Sequence, residues 1–164
     1  MKKLTTFIAA VLCCMAFAFA DPCEGYWKSI DDGTNKVTAF WKVYVENDTL
    51  YGKIVHVPDQ DDSTIASACK SSYKGFPVEG DVSKMTVVNT PFIYNMKNKA
   101  EGKWEKGNIV DPSNGNCYTC TMTYHKADGG KYKVDTLEMR GSIGPIGKSQ
   151  FWQKTSKAEA EAGE

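Results

Sequence analysis

Between residues 36 and 57 the chain alternates without a break on either side of a two-residue turn, and this constrains the fold more than anything else in it. Val37, Ala39, Trp41, Val43 and Val45 share one phase, Thr38, Phe40, Lys42 and Tyr44 the other, and Asn47-Asp48 leads into residues 49–57. A period of two is that of a strand, and so short a turn leaves only an antiparallel hairpin. Similar segments recur along the chain. Residues 25–30 read as a first strand followed by the turn Asp31-Asp32-Gly33-Thr34-Asn35, and residues 102–110 and 116–125 flank Asp111-Pro112-Ser113-Asn114-Gly115. In that turn proline sets an early φ and glycine accepts a positive φ late.

Strand character over residues 84–96 is interrupted at Asn89-Thr90-Pro91, since proline cannot sit in an unbroken central strand. From Lys131 the alternation slips by one residue near Asp135-Thr136, which predicts a β-bulge. A glycine-rich corner over 141–147 leads to a last strand at 149–153. Residues 58–80 form one long connection, and 156–164, without apolar anchors, are expected to be a disordered tail. Nothing between these segments holds a helical period. About eight short strands in sequential hairpins predict an all-β, up-and-down barrel over residues 21–155, with a two-sheet β-sandwich as the alternative.

Residues 1–20 have the layout of a signal peptide: Lys2 and Lys3, an apolar run from Leu4, and Ala18-Phe19-Ala20 before Asp21. The apolar run contains Thr5 and Thr6 and is short for a span, which needs ~20 apolar residues, so no integral membrane segment is expected after cleavage. The expected location is therefore periplasmic or extracellular. Without Lys2 and Lys3, the 20 basic residues become 18 against 20 acidic, a net charge of −2 that gives no reason to expect a nucleic-acid partner. Cys23, Cys69, Cys117 and Cys120 remain, and an even count in an oxidising compartment predicts disulfides, the pairing left open. Three residues apart on a strand, Cys117 and Cys120 should face opposite ways and not bond each other.

The stretches Gly25-Tyr26-Trp27, Leu50-Tyr51-Gly52-Lys53-Ile54-Val55, Gly107-Asn108-Ile109-Val110-Asp111-Pro112 with Gly115 and Tyr118, and Met139-Arg140-Gly141 with Ile143-Gly144 occur in order with Gly147 to Trp152. Together they resemble the exported bacterial family DUF2147, a domain of unknown function. The resemblance implies a lipocalin-like barrel and brings no activity with it. The chain departs from the family pattern at Ser142, where an aromatic is expected, and at Lys148, where arginine is usual; lysine lacks the bidentate fork of a guanidinium.

Arg140 is the sole arginine. By similarity to lipocalins it is expected to lie across the Trp27 indole and close one end of the barrel, a cation–π contact. Asp111, with Pro112 and Gly115, is read as a turn cap, and Trp152 as structural. Trp41, Trp104, Tyr118, Arg140 and Gln150 are the candidates for contacting a ligand, because a small-molecule pocket combines aromatic walls with a few polar groups. His56 and His125 show no ligand spacing to each other or to a carboxylate and are read as ordinary rim or strand residues. In the cluster Asp59, Asp61 and Asp62 an EF-hand is excluded, because Thr64 and Lys70 stand where it needs glycine and glutamate. No cofactor, metal or catalytic motif is read. A small hydrophobic ligand is the expected partner, and a ligand-free structural or protein-interaction module of the envelope is the alternative function.

Overall fold

The computed structural model describes residues 20–164, so the expected signal peptide lies, except for Ala20, outside the described residues. Eight antiparallel strands follow one another around a closed barrel: β1 (Gly25–Ile30), β2 (Val37–Glu46), β3 (Thr49–His56), β4 (Ile93–Ala100), β5 (Lys103–Val110), β6 (Cys117–His125), β7 (Thr136–Ile143) and β8 (Ile146–Thr155). Closure comes from β8 pairing with β1, Lys154 opposite Trp27. The barrel thus has no free sheet edge, and the sandwich alternative is set aside. Asn47 and Asp48, both with positive φ, make the twisted turn that suits a tight hairpin, and β2 and β3 pair from Glu46–Thr49 upward.

Three segments differ from the sequence reading. Residues 131–135 are loop, and β7 starts at Thr136, so the slipped alternation marks a strand boundary and not a bulge. Between β3 and β4 the only regular structure is a 3₁₀ turn at Val82–Lys84 and two isolated bridges, Ile54 with Val88 and Ile65 with Thr86, because the strand waits until after Pro91. The C-terminal tail is a helix, α1 (Lys157–Ala162), lying against β1, β2 and β3. Ser156 and Glu159 form a reciprocal capping box, Gly163 closes the other end in the left-handed region, and Ala160 is buried against the barrel. A capped turn with one small buried residue needs no large apolar anchor, which is why composition misled. Among the described residues no helix is long and apolar enough to cross a membrane.

The β2–β3, β4–β5 and β6–β7 connections and the N-terminal segment gather at one end of the barrel, while α1 runs along the outer wall and its Gly163 reaches His56 at the far end of β3. The β1–β2 and β5–β6 turns, the β7–β8 turn and the long 57–92 connection gather at the other. At the first end Trp27 is fully buried and donates its Nε1–H to the Cys23 carbonyl at 2.9 Å. Asp21 ties the entering chain down, accepting from Cys23 N at 2.9 Å and Gly102 N at 3.1 Å. The lid is not Arg140. The cation over the Trp27 ring is Lys154, with Nζ 4.3 Å from the centroid and donating to the Glu24 carbonyl at 2.7 Å. Gly25 makes room for it: with φ +127°, a Cβ there would stand 2.5 Å from Lys154 Nζ. Arg140 is paired with Thr121 and Ser149 and points to solvent on the outer wall, in the phase opposite to buried Leu137 and Met139.

The expected disulfides are absent: all four cysteines are free. Two of them are well separated, whereas Cys69 and Cys117 both neighbour Tyr73. Cys23 is at the closed end and Cys120 faces the core, and burial pushes both thiols up from their ordinary pKa. Cys69 belongs to the long connection, and Cys117 lies on the opposite face of β6 from Cys120, with Tyr94 Oη at 3.7 Å and Asn108 Nδ2 at 3.8 Å.

Candidate functional site

The two halves of the barrel are filled differently. Towards the closed end the inward side chains are large: Trp27, Leu50, Met96, Trp104, Met122 and Leu137 are all buried. Above them Trp41 of β2 and Trp152 of β8, on the two strands that flank β1, stack inside the barrel, ring centroids 4.8 Å apart and planes 18° from parallel. This pair is the floor of a cavity of about 830 Å³ that occupies the other half and opens among the loops.

Its walls are mostly aliphatic, including Ala39, Ile54, Val87, Ile109 and Met139. Small inward residues, Ser29, Ala39 and Gly141, leave the volume that large ones would take. The mouth carries Ile65, Ile143 and Ile146, which are 43%, 63% and 80% exposed and continue the apolar lining outward. Two charged side chains line the cavity, both at the mouth. The Asp111 carboxylate is occupied: Oδ1 accepts from Ser113 N and Oγ, and Oδ2 from Asn114 Nδ2 at 2.8 Å. That is the capping geometry read from its sequence, and Gly115 (φ +72°) lets the turn press on the Ala68 carbonyl of the long connection. Lys148 points inward opposite Gly141 and lies 3.8 Å from Asp32.

Polar groups at the floor are few and mutually engaged. Trp41 Nε1 donates to Ser29 Oγ at 3.3 Å, and Ser29 Oγ is also bonded to Thr38 Oγ1 at 2.7 Å and to the Ala39 carbonyl at 3.1 Å. Trp152 Nε1 donates to Gln150 Oε1 at 3.0 Å.

The structure therefore brings together Trp41, Tyr118, Gln150 and Trp152, with Asp111 and Pro112 at the rim. It leaves out two ligand-contact candidates. Trp104 lies below the floor, paired with Met122, its buried Nε1 without a hydrogen-bond partner among the described residues. Arg140 is outside the barrel. The residues missed, Ser29, Ala39, Met139 and Lys148, have ordinary identities, and the signal that would have found them is phase: Ser29 shares that of Trp27, and Lys148 that of Gln150 and Trp152.

Both histidines sit beside a carboxylate, a relation invisible in their spacing. His56 Nδ1 is 3.5 Å from Asp62, and His125 Nε2 is 2.9 Å from Glu138. Ser149 Oγ donates to the other oxygen of Glu138 at 2.8 Å. Burial raises the Glu138 pKa, but these hydrogen bonds outweigh it and hold the carboxyl below its ordinary value. With the carboxylate in the middle, the serine proton is directed at Glu138 and not at the imidazole, so the trio does not have the order of a nucleophilic triad. Asp61 caps its own loop through Ser63 N and Oγ.

A family model described as an uncharacterised protein conserved in bacteria, DUF2147, matches residues 25–154. The chain belongs to the DUF2147 family. Among solved structures it is similar to protein HP1028 from the human pathogen Helicobacter pylori, described as belonging to the lipocalin family, with a TM-score of 0.64 and 14% identity over 85% of this chain and 86% of that one. At that identity the likeness concerns the fold, and a lipocalin-like barrel is what the strand order shows. No curated protein matches the chain. This DUF2147 chain combines a closed end sealed by a lysine on an indole with an open end built around an apolar hollow.

Proposed function

We propose that this DUF2147 protein works outside the cytoplasm, in the periplasm or the surrounding medium, and holds one small hydrophobic or lipid-like molecule in its barrel. The cavity carries this reading. Its volume of about 830 Å³ falls in the range of ~300–1,000 Å³ typical of small-molecule sites, and its walls are apolar with a few placed polar groups. Eight strands give a barrel of the size that holds one small ligand when it is not filled by side chains. A ligand-free module acting through its outer face has no need of the open half. Export rests on the signal pattern of residues 1–20. Cleavage after Ala20 would leave the new α-amino group at Asp21, whose nitrogen is 2.9 Å from Glu24 Oε2.

Native mass spectrometry of protein recovered from its own compartment tests both parts. The expected spectrum shows a chain beginning at Asp21 with a non-covalent adduct, and apolar probes should change the emission of the floor indoles. A bare mass in every preparation, with no response to any apolar probe, overturns ligand binding; a cytoplasmic protein retaining Met1 overturns export.

A further inference from the structure

We infer that the molecule held in the cavity carries a neutral hydrogen-bond acceptor, a carbonyl of the ketone, aldehyde or ester class, seated just above the Trp41–Trp152 floor against the side-chain amide of Gln150. This rests on the ligand-binding reading and adds a chemical class to it. Gln150 faces inward opposite Met139 and borders the cavity. Two residues further along the same face, Trp152 is fully buried, and its indole N–H needs an acceptor; it takes Gln150 Oε1 at 3.0 Å. An indole nitrogen only donates, so this bond fixes the amide with its oxygen towards the floor and turns the NH₂, which only donates, to the cavity.

On the other side of the floor Ser29 offers little, because its hydroxyl already engages Trp41, Thr38 and the Ala39 carbonyl. Tyr118, the other uncharged polar ring on the wall, stands nearer the mouth, level with the start of β6. The floor thus presents a donor without a matching acceptor, and a bound hydrocarbon would leave that donor desolvated and unpaired.

Charge decides between acceptors. Both charged lining residues, Asp111 and Lys148, are at the mouth. The Lys148 side chain is 74% exposed and already faces Asp32. A carboxylate at the depth of Gln150 would lose its water and gain only a neutral amide, which does not repay the desolvation of an ion. A carbonyl oxygen accepts from the same NH₂ with a far smaller desolvation cost.

Three ligands of equal chain length, a methyl ketone, the corresponding n-alkane and the corresponding carboxylate, are compared by displacement of an environment-sensitive apolar dye from the full chain. The ketone should bind roughly five- to ten-fold more tightly than either of the others, the worth of one net hydrogen bond. Gln150→Glu at pH 8 keeps an acceptor for Trp152 and removes the donors, and should erase the ketone's advantage; Gln150→Met should do the same without adding charge. The comparison on the unsubstituted chain remains decisive if a variant fails to fold. Equal affinity of ketone and alkane overturns the carbonyl class and leaves ligand binding standing. A carboxylate that binds most tightly, and loses that affinity on Lys148→Met, overturns it in favour of a head group at the mouth. A dye that never binds, with no ligand altering indole emission, removes the ligand-binding reading and this inference with it.

Discussion

The same eight strands build both ends of this barrel, yet one end is a solid core and the other a hollow. In the solid end the inward positions are dominated by large side chains, Trp27, Leu50, Met96, Trp104, Met122 and Leu137 among them, and the indole of Trp27 is covered by Lys154 and by the Asp21–Glu24 segment. In the hollow end the inward row thins to Ser29, Ala39 and Gly141, and the roof consists of loops. Dense packing and open volume are therefore separated along the barrel axis. A hollow loses dispersion contacts and hydrophobic burial, and this fold compensates by concentrating its large residues below the tryptophan floor.

The largest expected effect is in the solid half. Trp27→Ala removes the biggest buried side chain there and should cost about 3–5 kcal/mol, read as a fall in thermal midpoint of ~10 °C or more. A midpoint unchanged by this substitution would erase the distinction between the halves. Next comes a change of function with little change of stability: Ala39→Phe puts a ring into the hollow and should weaken an apolar dye by more than ~10-fold while shifting stability by less than ~1.5 kcal/mol.

A smaller difference concerns the lid. Lys154→Met keeps the aliphatic stem, loses the cation over Trp27, and should cost about 0.5–2 kcal/mol in chemical denaturation, against less than ~0.5 kcal/mol for Arg140→Met on the outer wall. The reverse order would return the closing role to Arg140. The smallest effect is local and concerns α1. Hydrogen bonds from the Ser156 N–H and the Thr155 hydroxyl hold the Glu159 carboxyl at about 2, well below its ordinary value. A depressed carboxyl contributes fully above its unfolded pKa of ~4.3 and loses that contribution as pH falls towards 2. Protection of the amides in residues 157–163, measured against the intrinsic exchange rate at each pH, should therefore fall below about pH 4 before protection in the barrel strands does; simultaneous loss of both would make α1 part of the solid half.

The all-β class, the strand count and the hairpin order were legible because a period of two survives in each segment and turn chemistry separates them. Asp111 as a cap could be read for the same reason, since its partners Ser113 and Asn114 are its neighbours in sequence. Trp41, Tyr118 and Gln150 were recognisable as polar-tipped or aromatic residues suited to a pocket. Trp104, of the same type, was indistinguishable from them, because alternation gives the face of a strand but not the depth in the barrel. Arg140 was favoured for its rarity, although its own phase, out of step with Leu137 and Met139, already pointed it to solvent.

Taken alone, then, the order of residues determined which segments are strands, how neighbours pair and which local turns cap themselves, all consequences of interactions between residues close along the chain. Tertiary structure decided which cation meets Trp27, that the four thiols are free and that small inward residues from β1, β2 and β7 coincide at one height. These depend on the stagger at which β8 closes against β1, a distance of more than a hundred residues in sequence, which sets the level of every inward side chain relative to the others.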